Sequence, residues 1–184
     1  MIECSRLSTG EKKIVLFFRR EDLLYDIRNA AFIEGELMGD EQMHERHVVQ
    51  DVGEGGNVDR VIRILDLTHS ECVEMLYPFT KHEIIHDCLD DRFTDKKLYS
   101  IFMKVPEDFS QTTLNSIEKL VHEFLVSTAM ADWLSITNPQ KSQIWQMKAE
   151  ELKGAIQSKR HLRRGVIRRS GAPVVANMCR LRQE

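Results

Sequence analysis

The stretch from Ser110 to Lys159 constrains the fold of this chain most, because it predicts two long helices joined by a short turn. Pro106 disfavours helix immediately before it, and the hydroxyls between Ser110 and Thr113 can accept hydrogen bonds from first-turn amides. The first helix should therefore begin there. Its apolar residues recur at helical spacing in one broad stripe: Leu114, Ile117, Leu120, Val121, Phe124, Leu125, Thr128, Ala129, Ala131 and Leu134.

Asn138-Pro139 predicts the end of the first helix and the start of the second. Asn is a favoured capping residue, and Pro at the first helical position has its φ angle already set and needs no amide partner. So short a connection makes the two helices antiparallel neighbours. The second helix should pack through an apolar face with Trp145 on its flank, and that face comprises Ile144, Met147, Ala149, Leu152 and Ile156.

Four further segments have recognisable patterns. Helical spacing predicts helices over Glu21 to Leu37 and over Val58 to Leu76, the second of which should stop at Tyr77-Pro78. Lys12 to Phe18 is a short apolar run that favours a strand, although a helix could also begin inside it. Leu98 to Pro106 alternates with a period of two, so the two runs could pair in a minimal two-stranded sheet.

The segment between Gly39 and Asn57 is acidic and rich in glycine, with no sustained period. Such a segment buries little apolar surface, which predicts a flexible loop near residues 39–57. The fold class expected for the chain is therefore mainly α, a helical bundle organised on the long antiparallel hairpin with a minor β element. Residues 1–159 should form a single mainly helical domain, and residues 160–184 an extended basic C-terminal arm.

The composition limits the cellular environment and the classes of function that are expected for the chain. At 184 residues the chain is long enough for a substantial core, and its four cysteines form no close pair, which favours reduced thiols over a disulfide framework. The beginning of the sequence shows no apolar signal segment, and no apolar run reaches the roughly 18 residues that a membrane helix needs. The expectation is a protein that neither is secreted through a signal peptide nor spans a membrane.

The net charge of −3 conceals a strong asymmetry. Nine Lys and Arg residues and no acid lie between Lys153 and Arg182, so the rest of the chain carries −12. This basic run predicts contact with a partner surface or with DNA phosphates, or else a merely solvated terminus. The apolar inserts Val166-Ile167 and Pro173 to Val175 favour an arm that becomes ordered on a neighbour. The candidate contact residues are Arg160, Arg163, Arg164, Arg168 and Arg169.

One motif points to chemistry: residues 82–86 spell His-Glu-Ile-Ile-His, the HExxH pattern of zinc metalloproteases. On a helix, His82 and His86 could bind one zinc ion while Glu83 acts as the general base. A third ligand is hard to supply, because the downstream candidates His122, Glu118 and Glu123 belong to a helix whose apolar face is committed to the core, and charged residues flank the motif. We therefore expect no metal, no cofactor and no enzymatic activity, with a zinc hydrolase as the alternative. A nucleic-acid-binding module that uses the basic arm is a second alternative.

The hairpin resembles the closing hairpin of head-to-tail connector proteins of tailed bacteriophages. The resemblance is carried by the run Ala131-Asp132-Trp133-Leu134, by the Asn-Pro break, and by an aromatic and charged second helix with Trp145, Lys148, Glu150 and Glu151. It implies a structural virion component made in the host cytoplasm. Such a protein forms a homo-oligomeric ring, contacts portal and tail or neck proteins, and can face DNA in the lumen.

Overall fold

A computed structural model describes residues 2–6, 11–39, 43–81 and 97–160. Three strands and five helices make up this part of the chain, with a short 3-10 turn at Asp51–Gly53 between the second and third helices. In chain order they are β1 (Ile2–Arg6), β2 (Glu11–Arg19), α1 (Arg20–Glu36), α2 (Met43–Gln50), α3 (Gly55–Met75), β3 (Leu98–Pro106), α4 (Gln111–Thr137) and α5 (Pro139–Lys159). The mainly helical fold with a small antiparallel sheet is confirmed.

The sheet has the order β1-β2-β3, and both pairings are antiparallel. β2 and β3 pair as the sequence predicts, with Ile14 opposite Met103 and Leu16 opposite Ile101. All four of these side chains are buried, because alternate residues of a strand point to the same face. The expectation of two strands was wrong, since β1 adds a third strand along the other side of β2.

The α4–α5 hairpin is confirmed, and Asn138 stabilises its turn. The Asn138 side chain accepts a hydrogen bond from the backbone amide of Lys141 at 3.2 Å, which satisfies an otherwise unpaired first-turn donor of α5. Ser142 is buried, and its hydroxyl donates to the Ala131 carbonyl across the hairpin at 2.8 Å. At the other end of α4, Ser110 occupies the N-cap position without a side-chain bond.

The predicted apolar face of α5 is partly wrong. Ala149 and Ile156 are buried as expected, but Ile144 and Met147 are 55% and 61% exposed. The face that packs on α4 instead runs through Ser142, Trp145, Ala149, Leu152 and Ile156, a spacing of three and four residues that follows one side of a helix.

The flexible loop predicted near residues 39–57 was also wrong. α2 and the 3-10 turn occupy residues 43–53, and α3 already begins at Gly55. Val49 and Val52 are buried in the core, and the indole of Trp133 donates to the Val49 carbonyl at 2.9 Å. Gly53 permits close packing here: a Cβ atom at this position would lie 2.7 Å from Nε of Arg28.

The core is one continuous cluster that joins β2, β3 and the five helices. α4 is its centre, because it packs against α1, α2, α3 and α5. The buried face of the sheet lies against α3 and α4, where the His69 ring is tilted against Tyr99 and the His122 ring is tilted against Phe18. Within the described ranges no helix has the length and apolar content needed to cross a bilayer.

Candidate functional site

Two concave regions of the described structure are candidates for a functional site. The first, which we call the sheet-end groove, encloses about 970 Å³ at the end of the sheet where Arg19 pairs with Leu98. Its floor is apolar and its sides carry both signs of charge. The lining comprises Phe17, Phe18, Arg19, Asp22, Leu98, Glu118, Lys119, His122 and Glu123.

His122 is the most constrained polar group of the sheet-end groove. It projects from α4, and its Nε2 lies 2.7 Å from Oδ2 of Asp26 on α1. The carboxylate holds the imidazole beside the Phe18 ring, whose centroid is 6.4 Å away. The described lining offers this His–Asp pair no hydroxyl or thiol to activate, so the arrangement fits non-covalent binding better than nucleophilic catalysis.

The second region, the α3–α5 groove, encloses about 740 Å³ between α3 and α5 with α4 beneath it. Phe124, Thr128 and Ala131 of α4 line it, and Thr128 Oγ1 is a buried atom with no hydrogen-bond partner among the described residues. Buried Ala149 of α5 also lines it, and the remaining lining residues are polar, acidic or exposed: Glu71 of α3, and Gln143, Gln146, Met147, Glu150 and Glu151 of α5.

The electrostatics of the α3–α5 groove are acidic. Lys153 Nζ lies 2.7 Å from Glu71 Oε1, and this hydrogen-bonded ion pair raises the pKa of Lys153 above its ordinary value. The charges of Glu150 and Glu74 raise that pKa further. Carboxylates therefore outnumber the cation at this rim, which favours a basic ligand.

Arg160, the first of the five predicted contact residues, has a structural role at the end of α5. Its Nη1 donates to the carbonyls of Met75 and Tyr77, at 3.2 and 3.1 Å. These carbonyls lie at the C-terminus of α3, where carbonyl groups lack helical partners. The bonds fix the C-terminal end of α5 to the end of α3.

The other predicted site residues lie outside the described residues. They are the zinc candidates His82 and His86 with Glu83, and the contact candidates Arg163, Arg164, Arg168 and Arg169. Both predictions stay predictions.

Of the third-ligand candidates for zinc, His122 is paired with Asp26 and Glu123 with Lys148. In the described ranges, no cluster of three or more potential metal ligands occurs.

Cys72 is the cysteine whose surroundings the structure describes fully, and it is buried in the core on α3. Burial raises the pKa of its thiol, and the neighbouring charge of Glu71 acts in the same direction. The thiol is therefore held in its unreactive protonated form.

Sequence reasoning did not find either groove. The sheet-end groove takes residues from four elements and the α3–α5 groove from three, such as Glu71, Thr128 and Glu150, so no local motif marks either groove. The only sequence signal was the pair of consecutive acids Glu150-Glu151 on the exposed side of α5. No family model, no curated protein and no solved structure matches this chain.

Proposed function

We propose that this chain is a structural subunit that assembles into a ring, of the head-to-tail connector class of tailed bacteriophages, and acts through contacts and not through chemistry. The observation that carries the proposal is a pair of apolar patches on two different sides of the helical bundle. Such patches suit repeated contacts between identical copies.

The first is the α5 patch, formed by Ile144 and Met147. These side chains are 55% and 61% exposed, and they are three residues apart, so they lie together on one side of the helix. That side faces away from Ala149 and Ile156, which pack on α4. The hairpin therefore presents an apolar surface that its own packing leaves uncovered.

The second is the α1 patch, formed by Tyr25 and Phe32. They are 69% and 54% exposed and seven residues apart, which places them on one face of α1. Glu34, two residues beyond Phe32 and thus about 200° around the helix, accepts a hydrogen bond from the Trp145 indole of α5. The α1 patch consequently faces away from α5.

Two different patches favour a heterologous contact, in which the α5 patch of one copy packs on the α1 patch of the next. A chain of such contacts closes into a ring when the rotation per copy divides a full turn. The hairpin resemblance suggests the same architecture, with portal and tail or neck proteins above and below the ring. The proposal places the protein in the virion after synthesis in the host cytoplasm.

Imaging and protein analysis of virions from the genome that encodes the chain test this proposal. We expect the protein in the particles, and we expect tails to be absent when the gene is deleted. A double substitution in the α1 patch, Tyr25→Ser with Phe32→Ser, should give the same defect. The matched control is Leu67→Ser, because Leu67 is 69% exposed on α3 and belongs to neither patch. Tailed, infectious particles without the protein would overturn the proposal.

A further inference from the structure

We propose, building on the assembly function above, that the α3–α5 groove binds the basic C-terminal segment, residues 161–184, of a neighbouring copy. The proposal rests on the shape and charge of the groove and on the direction in which the chain leaves α5. It assigns an interaction site to a groove and a partner to the segment.

The groove has the chemistry to hold an extended segment of mixed apolar and basic character. Its floor contains the buried Phe124 and Ala131 of α4, and the buried Ala149 of α5 lines it as well. Gln143 and Gln146 on the rim offer both donors and acceptors for a peptide backbone. Thr128 Oγ1 on the floor offers one more polar contact.

The charges of groove and segment are complementary. The described lining contains three glutamates, Glu71, Glu150 and Glu151, and no Lys or Arg. Lys153 is ion-paired with Glu71, and the exposed carboxylates of Glu150 and Glu151 on α5 remain accessible to a ligand. Residues 161–184 carry one acid and six arginines, namely Arg163, Arg164, Arg168, Arg169, Arg180 and Arg182. Valine, isoleucine and proline between these arginines match the apolar floor.

The geometry of α5 favours a neighbouring copy as the source of the segment. α5 runs from the groove toward Arg160, which is fixed to the Met75 and Tyr77 carbonyls. Arg160 is 14 residues beyond Gln146, about 21 Å along the helix at 1.5 Å per residue. Residue 161 therefore follows a helix end about 21 Å from Gln146, so the segment would have to turn back along α5 to reach its own groove, whereas the groove of a neighbouring copy requires no such reversal.

Fluorescence anisotropy with a labelled synthetic peptide of residues 161–184 and the full chain tests the groove. We expect saturable binding that weakens as salt is added, because exposed charges are screened. Glu150→Lys with Glu151→Lys should weaken binding roughly tenfold. The control pair Glu45→Lys with Asp59→Lys changes the net charge equally at exposed positions outside the groove, and it should leave binding unchanged. No binding, or equal loss in both double variants, would overturn the proposal.

Photo-crosslinking tests the neighbouring copy as the source. The full chain carries benzoyl-phenylalanine at Val174, and ¹⁴N and ¹⁵N preparations are mixed above the Kd measured for the peptide. We expect cross-links from Val174 to the α5 peptide that contains Gln146, joining chains of different isotope. Cross-links within one chain only, or to other surfaces, would overturn it.

The two proposals fail on different results. If virions contain the protein but the peptide does not bind the groove, this inference fails and the proposed function stands. If the peptide binds the groove but virions lack the protein, the proposed function fails.

Discussion

The two helices of the hairpin are used in opposite ways. Twelve of the 27 residues of α4 are buried, against three of the 21 residues of α5. Between Phe124 and Leu134, α4 is buried on nearly all sides because it packs on four other helices. α5 packs along one narrow side and leaves Ile144, Met147, Glu150 and Glu151 exposed. The comparison teaches that α4 determines stability, whereas the outer side of α5 is available for partners.

Removing a large side chain from α4 should have the largest effect on stability. Phe124 is 3% exposed, so Phe124→Ala removes buried apolar surface and leaves a cavity. We expect a loss of about 3–5 kcal/mol in the free energy of unfolding, measured by urea denaturation. Met147→Ala on the exposed side of α5 should change it by less than about 0.5 kcal/mol. Equal losses in the two variants would abolish the distinction between the helices.

The two tryptophans offer a matched pair, since each indole donates one hydrogen bond. Trp133 of α4 donates to the Val49 carbonyl inside the core, and Trp145 of α5 donates to the half-buried Glu34 side chain. Trp133→Phe leaves a buried carbonyl unpaired, and we expect a loss of about 1–3 kcal/mol. Trp145→Phe should cost less, because the Glu34 carboxylate keeps its ion pair with Lys141. Thermal unfolding gives the loss of stability in each variant. A larger loss for Trp145→Phe than for Trp133→Phe would contradict the prediction.

The turn between the helices should contribute less than the core of α4. Asn138→Ala removes the acceptor for the Lys141 amide, with an expected loss of about 1 kcal/mol. Asn138→Asp keeps a capping oxygen and should retain most of the stability. Urea denaturation measures the free energy of unfolding of both variants. A full loss in the Asp variant would show that capping is not the cause.

The smallest effect is expected at the ion pair of α5 with α3. Because the pKa of Lys153 is raised in the folded state, the pair's contribution is fully present below pH 10.5, the ordinary value, and is lost as the pH rises through the raised pKa. The side chains are partly exposed, so at most about 1 kcal/mol is at stake. Lys153→Arg should keep the contribution at high pH, since arginine stays protonated. The free energy of unfolding of the natural protein and of the Lys153→Arg variant is measured from pH 8 to 12. The same dependence on pH in both proteins would contradict a contribution from the Lys153 ion pair.

The sequence predicted α4 well and α5 less well, and the reason is physical. A helix buried on a broad face has a strong apolar period, and the stripe from Leu114 to Leu134 is buried or half-buried throughout. On α5 the buried side is narrow, so the exposed apolar residues Ile144 and Met147 could not be distinguished from core residues. Ser142 is buried only because the Asn138 turn brings it against the Ala131 carbonyl.

The segment before α3 and the two grooves escaped prediction for a related reason. Val49 and Val52 lie in a segment of polar residues, acids and glycines without a sustained period, and only their burial in the core, where the Val49 carbonyl accepts from Trp133, reveals their role. Charges could be counted from the sequence, which predicted an acidic body and a basic end. The convergence of Glu71, Glu150 and Glu151 on the α3–α5 groove depends on how three helices pack, and sequence patterns do not specify that packing.

The mass of the full chain in solution tests most directly the claim that the outer side of α5 makes contacts and the core of α4 provides stability. Size-exclusion chromatography with light scattering compares the natural sequence with Ile144→Ser combined with Met147→Ser, and the circular dichroism spectrum and thermal unfolding of each are recorded. The account predicts one discrete multimer for the natural sequence, and for the variant a monomer that keeps the helical spectrum and unfolds cooperatively, with a melting temperature lowered only by the loss of subunit contacts. The same mass distribution in both proteins would contradict it.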